Sequence, residues 1–166
     1  MDESPYDSIQ FCILILYAEG VAARYLNMFD PHSARATFFP TPDGEIMNVI
    51  VECRERLDSH SPRCPSGKAT IQFDYIPYSR RDFETGTAFV LDRANQQPYI
   101  EDLEASIYNF GFHNPVEIET LAVHPTSDAS VSLHVSGRID FTHEGLSRLG
   151  RPEIVWRIEV THFDSP

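Results

Sequence analysis

Polar and apolar residues alternate most regularly near the C-terminal end of the chain. Val131, Leu133, Val135, Gly137, Ile139 and Phe141 are interleaved with Ser132, His134, Ser136, Arg138, Asp140 and Thr142. A period of two belongs to a strand with one buried face. The pattern recurs where Ile154, Trp156, Ile158 and Val160 alternate with Val155, Arg157, Glu159 and Thr161. Gly145, Gly150 and Pro152 punctuate the interval, so the two runs predict a long-looped hairpin over 131–163. Charge selects a register for it. Phe141 opposite Trp156 sets Asp140 against Arg157 and Arg138 against Glu159 on the other face. Sliding by two residues opposes like charges instead, whereas a complementary pair contributes roughly 0.2–1 kcal/mol. In this register Gly137 leaves room for the nearby bulk of Trp156.

The remaining pattern predicts a mixture of strands and helices. Ser8–Tyr17 is apolar almost throughout and fits a buried strand or a buried helix; strand, turn, helix is the reading preferred. Val21, Ala22, Tyr25, Leu26 and Phe29 follow helical spacing until Asp30-Pro31. Phe38–Gly44 carries turn chemistry, Ile46–Cys53 reads as an interior strand, and Asp58–Gly67 reads as a loop. Ile71, Phe73 and Tyr75 predict a half-buried strand that stops at Pro77, and Thr87–Leu91 predicts another short strand.

Tyr99–Phe110 has the signs of a helix. Pro98 stands at its start and Glu101, Asp102 and Glu104 in its first turns, with a stripe of Ile100, Leu103, Ile107 and Phe110 and a stop at Gly111. Glu117–His124 is a strand whose apolar phase shifts between Ile118 and Leu121, which predicts a bulge. The fold class that follows is α+β. A single antiparallel, curved sheet of about five to seven strands packs against one or two helices, and the chain ends in a β-meander.

Composition bounds this picture without changing it. The 166 residues are 42% hydrophobic and 11% aromatic, which suits one globular domain over residues 1–166. A formal charge of −12 disfavours nucleic acids and anionic membranes as partners. The charge is uneven, because residues 54–81 hold six basic side chains against Glu55, Asp58 and Asp74. The three cysteines make no disulfide framework. Cys12 reads as a small buried hydrophobe, and Cys53 and Cys64 as reduced thiols of a cytoplasmic protein. The run Phe11–Ala18 is too short to cross a bilayer, and Asp2, Glu3 and Asp7 precede it where a signal peptide carries positive charge. Residue 1 is therefore expected to belong to the mature chain.

No catalytic motif survives inspection. Ser66-Gly67-Lys68 resembles the end of a phosphate-binding loop, but Pro62 and Ala69 stand where Gly and Ser or Thr are needed. His143-Glu144 is followed by Ser147 where a zinc-protease motif has its second histidine. Cys53, His60 and Cys64 lack a fourth ligand and tight spacing, so neither metal nor cofactor is expected. His134 falls on the polar face, and His143 and His162 in phase with the apolar face near strand ends. No nucleophile stands at a diagnostic spacing, so ordinary strand-end histidines are expected rather than a general base. Arg138, Asp140, Arg157 and Glu159 satisfy one another in the expected register and require no ligand.

Tyr75, Tyr78, Arg80, Arg81 and Phe83, clustered around Pro77, are the residue types enriched where proteins meet. The expected function is thus a non-catalytic, acidic protein-binding module, such as an inhibitor or adaptor of a basic partner, or a module that self-associates. The alternative is a small-molecule binder or cofactor-free enzyme with a pocket between helix and curved sheet, using His143 or His162. A deep apolar pocket with an ionisable group favours the alternative; a filled core under exposed aromatics favours the first class.

Overall fold

The structure, a computed structural model, describes residues 31–53, 69–95, 103–109, 112–127, 129–143 and 150–164. Nine strands run through them: β1 (Pro31–Thr41), β2 (Gly44–Cys53), β3 (Thr70–Ile76), β4 (Phe89–Asp92), β5 (Glu104–Asn109), β6 (Phe112–Ser127), β7 (Ser130–Ile139), β8 (Glu153–Val160) and β9 (His162–Asp164). A six-residue helix, α1 (Arg80–Thr85), and a 3-10 turn over Arg93–Asn95 flank β4. The expected α+β class is therefore corrected. Among the described residues the protein is nearly all β, and its sheet is mixed rather than antiparallel. The predicted elements in 8–29 lie outside the described residues.

The strand order is β8-β7-β6-β5-β3-β2-β1-β9, with β4 pairing β6 beyond the stretch that β5 uses. All ladders are antiparallel except β1 with β9, where Arg35, Ala36 and Thr37 run parallel to His162, Phe163 and Asp164. Only Thr161 separates β8 from β9. One nearly continuous strand thus pairs with β7 by its first part and with β1 by its second, and the sheet must curl to allow this. The inner face carries the core: Ala34, Ala36 and Phe38; Met47, Val49 and Val51; Ile71 and Phe73; Ile107; Ile118, Leu121 and Val123; Leu133 and Ile139; Trp156 and Ile158. Trp156 meets Phe73 edge-on at 6.4 Å.

Glu104–Asn109 is a strand, which overturns the helix predicted over Tyr99–Phe110. Leu103, Ala105 and Ile107 are all buried. Leu103 and Ile107 belong equally to a four-residue helical stripe and to a two-residue alternation. Hydrogen-bonded neighbours on both sides, β3 and β6, decide for the strand. Ile100 and Phe110 lie outside the described residues. Phe38–Thr41, read as part of a turn, continues β1, and the turn narrows to Pro42 and Asp43.

The hairpin register is corrected as well. Trp156 lies opposite Val135, Ile158 opposite Leu133, and Arg138 opposite Glu153. The charge argument failed because it considered two strands where three meet. Arg138 is held from β6 by Glu119 at 3.3 Å and from β8 by Glu153 at 3.6 Å. Arg157 reaches Glu159 along its own strand at 3.5 Å, and Asp140 turns to Arg151 at 3.7 Å. The bulge in β6 is where the apolar phase placed it, with the register shifting between Ile118 and Thr120. It also accounts for Gly137. A Cβ there would stand 2.2 Å from the Glu117 carbonyl oxygen, so the close neighbour is the β6 backbone and not Trp156.

Candidate functional site

The segment singled out in the sequence runs from the end of β3 through α1. Phe73 opposes Val49 and Ile76 opposes Met47, so Asp74 and Tyr75 together face Asn48 alone. This bulge gives Tyr75 a left-handed backbone, φ 60°, and its N–H donates to the Asn48 side-chain oxygen at 2.9 Å. The phase of the strand flips there. Tyr75, expected to face inward with Ile71 and Phe73, is 47% exposed, and Ile76 is buried in its stead. A bulky residue in this conformation is an outlier, and a left-handed L-residue costs about 1–2 kcal/mol.

Ser79 then caps α1. Its hydroxyl accepts from the Asp82 N–H at 3.1 Å and its own N–H donates to the Asp82 carboxylate at 2.9 Å. Gly86 ends the helix in the left-handed region that glycine adopts without penalty. The short helix sorts the remaining candidates by depth. Tyr78 is buried, with no hydrogen-bond partner for its hydroxyl among the described residues. Burial, and secondarily the Asp82 carboxylate, push its phenol up to about 12. Phe83 is half-buried and stacks on Phe163 at 4.7 Å, which in turn lies over Phe38 at 5.8 Å. Arg80 and Arg81 are exposed. The Arg80 guanidinium sits 5.1 Å from the Phe38 ring centroid, and the Arg80 backbone N–H donates to the Glu45 carboxylate. Neither arginine joins an ion pair among the described residues.

The five residues therefore divide. Tyr75, Arg80 and Arg81 face solvent, whereas Tyr78 and Phe83 pack inward. Sequence reasoning missed the residues that share the outward face with Tyr75. Phe39, 38% exposed, lies opposite Ile46, and Asn48 stands two residues along from Ile46. For Phe39 the signal was its place out of phase with the inner-facing Ala34, Ala36 and Phe38, obscured by reading Phe38–Gly44 as a turn, whereas Asn48 lay within Ile46–Cys53, read as an interior strand.

The other candidates offer less. His134, His143 and His162 are all exposed, so the last two do not follow the apolar face. Another exposed cluster joins His113 to Ser106 at 2.7 Å, to the Tyr108 ring at 5.1 Å and to the His143 ring at 6.1 Å. An open cleft of about 290 Å³ lies between β1, β2 and β9, where Arg35, Glu52, His162 and Asp164 mix both signs of charge. Cys53 is a buried thiol of β2, and Cys12, His60 and Cys64 lie outside the described residues. Asn114, opposite Ile107, is fully buried, with neither amide atom hydrogen-bonded among the described residues.

In class this is a curled mixed β-sheet with apolar side chains buried along its inner face and aromatics presented outside. No family model, curated protein or solved structure matches the chain.

Proposed function

We propose that the chain is a non-catalytic protein-binding module that engages a basic protein partner through the exposed side chains of Tyr75, Arg80 and Arg81. The carrying observation is Tyr75 itself: a large aromatic held outward by a backbone conformation that works against stability. Strain of this kind persists where the surroundings over-determine it, and it gathers at functional positions. Tyr offers contact area for few rotatable bonds, and arginine adds stacking and hydrogen bonds. Support for a basic partner comes from charge, with fourteen carboxylates against seven arginines among the described residues. Tyr78 and Phe83 serve this reading by fixing α1 beneath the arginines. Among the described residues no helix is long and apolar enough to cross a membrane; a cytoplasmic location is part of the same proposal and rests on the odd number of cysteines alone.

The test is native co-purification with wild type and with the Tyr75→Ala/Arg81→Ala double variant, eluting with increasing salt. A basic protein retained by wild type, released by salt and lost by a variant that melts within about 4 °C of wild type supports the proposal. Retention unaffected by the double substitution refutes it.

A further inference from the structure

A second surface, on the far side of the sheet path from Tyr75, carries chemistry that the binding reading leaves unused. On the outer face of β6, β7 and β8 the ladders set His124 opposite Ser132 and Ser132 opposite Glu159, with His134 opposite Arg157 in the adjoining row. His124 and His134 are diagonal neighbours, and their ring centroids stand 5.2 Å apart at 65°. Beneath them Ser132, on the same face by alternation, is 1% exposed, and its hydroxyl has no hydrogen-bond partner among the described residues. A buried hydroxyl left unsatisfied costs free energy, which makes it an unfilled contact beside the two rings.

We infer that His124 and His134 form a two-imidazole chelate for a borderline divalent transition metal ion, Cu²⁺ or Zn²⁺. With metal–nitrogen bonds of about 2.1 Å and a tetrahedral angle, two imidazole centroids sit about 5 Å apart, the separation found here. Imidazole suits these ions in preference to Mg²⁺ or Ca²⁺. Arg157 is the opposing charge, and it is drawn along its strand to Glu159 at 3.5 Å, so the row as a whole is balanced. No third histidine, cysteine or carboxylate completes the set among the described residues. The remaining coordination positions therefore belong to solvent, and in the inferred chelate the Ser132 hydroxyl, opposite His124, bonds a metal-bound water once the two rings turn to the ion. The other histidine pair fits less well. His113 and His143 are 6.1 Å apart, and a His113 ring nitrogen is already bonded to Ser106.

Titration of the untagged protein with CuCl₂ or ZnCl₂, followed by calorimetry and by imidazole proton resonances, tests the inference. One ion should bind with selective perturbation of His124 and His134. His124→Ala and His134→Ala should each weaken binding by about a hundredfold, because the second ligand of a chelate acts at high effective concentration. Ser132→Ala should weaken it a few-fold, and His113→Ala should leave it unchanged. All four positions lie on the outer face, and thermal melts of each variant report that the fold is kept. Three results overturn the inference: no binding below millimolar metal, equal binding by the His124 and His134 variants, or perturbation centred on His113 and His143. In any of these cases the two rings are edge-to-face packing only.

Discussion

Replacing Tyr75 by glycine and by alanine separates backbone strain from side-chain packing. Both substitutions remove the same ring and the same half-exposed surface, so that loss cancels in the comparison. At an ordinary strand position alanine is the more stable, by roughly 0.5–1 kcal/mol, because glycine loses more chain entropy on folding. At φ 60° the left-handed penalty of about 1–2 kcal/mol falls on alanine and spares glycine. The difference between the two terms leaves glycine ahead by about 0.5–1 kcal/mol. A protein of this length shifts its melting temperature by about 2–4 °C per kcal/mol, so the inversion is measurable by calorimetry. Urea unfolding should give a higher midpoint for Tyr75→Gly than for Tyr75→Ala at an unchanged slope. If alanine equals or exceeds glycine, Tyr75 is not held in a strained conformation, and the main support for the proposed binding face goes with it.

Gly137→Ala drives a Cβ to within 2.2 Å of the Glu117 carbonyl oxygen, a backbone atom that cannot rotate away. The β6 bulge must open, and a loss of about 3 kcal/mol or more is expected in denaturant unfolding; a loss under 1 kcal/mol means that the close approach is absent. Tyr78→Phe removes a buried hydroxyl without a partner and should be neutral or stabilising by up to about 1 kcal/mol. The same variant tests pH dependence. The Tyr78 phenol, raised from 10.0 to about 12, keeps its proton in the folded state after the unfolded chain has lost it. Stability is therefore fully present below pH 10 and declines as pH rises towards 12. Melts across that window should lose this component of the decline in Tyr78→Phe, and identical profiles refute the assignment.

What the sequence revealed was local. Strands β3, β7 and β8 and the bulge in β6 follow from alternation along a single segment, which side-chain direction enforces wherever one face is buried. Strand β5 was misread because Leu103 and Ile107 satisfy both periods while Pro98 and the acidic turn argued for a helix. Pairing with β3 and β6, contributed by distant residues, overrode those local preferences. The hairpin register failed for a related reason: Arg138 is shared by carboxylates of the strands on either side, and Glu119 is invisible from the hairpin alone. The parallel pairing of β1 with β9 has no local signature. At the candidate site residue type was legible and depth was not. Nothing in the alternation of Ile71, Phe73 and Tyr75 announces a tyrosine in the left-handed region, and Asn48, which holds it there, is remote in sequence.

The joint at Thr161 bears on how the protein keeps company with copies of itself. Without β9, the eleven residues of β1 would offer unpaired amides and carbonyls beside Ala34, Ala36 and Phe38, a template for another chain. Three residues of β9 cover its middle, and prolines stand at 31 and 40 on either side, where a missing N–H interrupts any strand that tries to add. Besides its pairing with β1, the cover is anchored by Phe163, stacked against Phe38 and Phe83. Loosening that ring leaves most of the sheet intact and bares an adhesive edge, so this short strand guards colloidal stability more than it guards the fold.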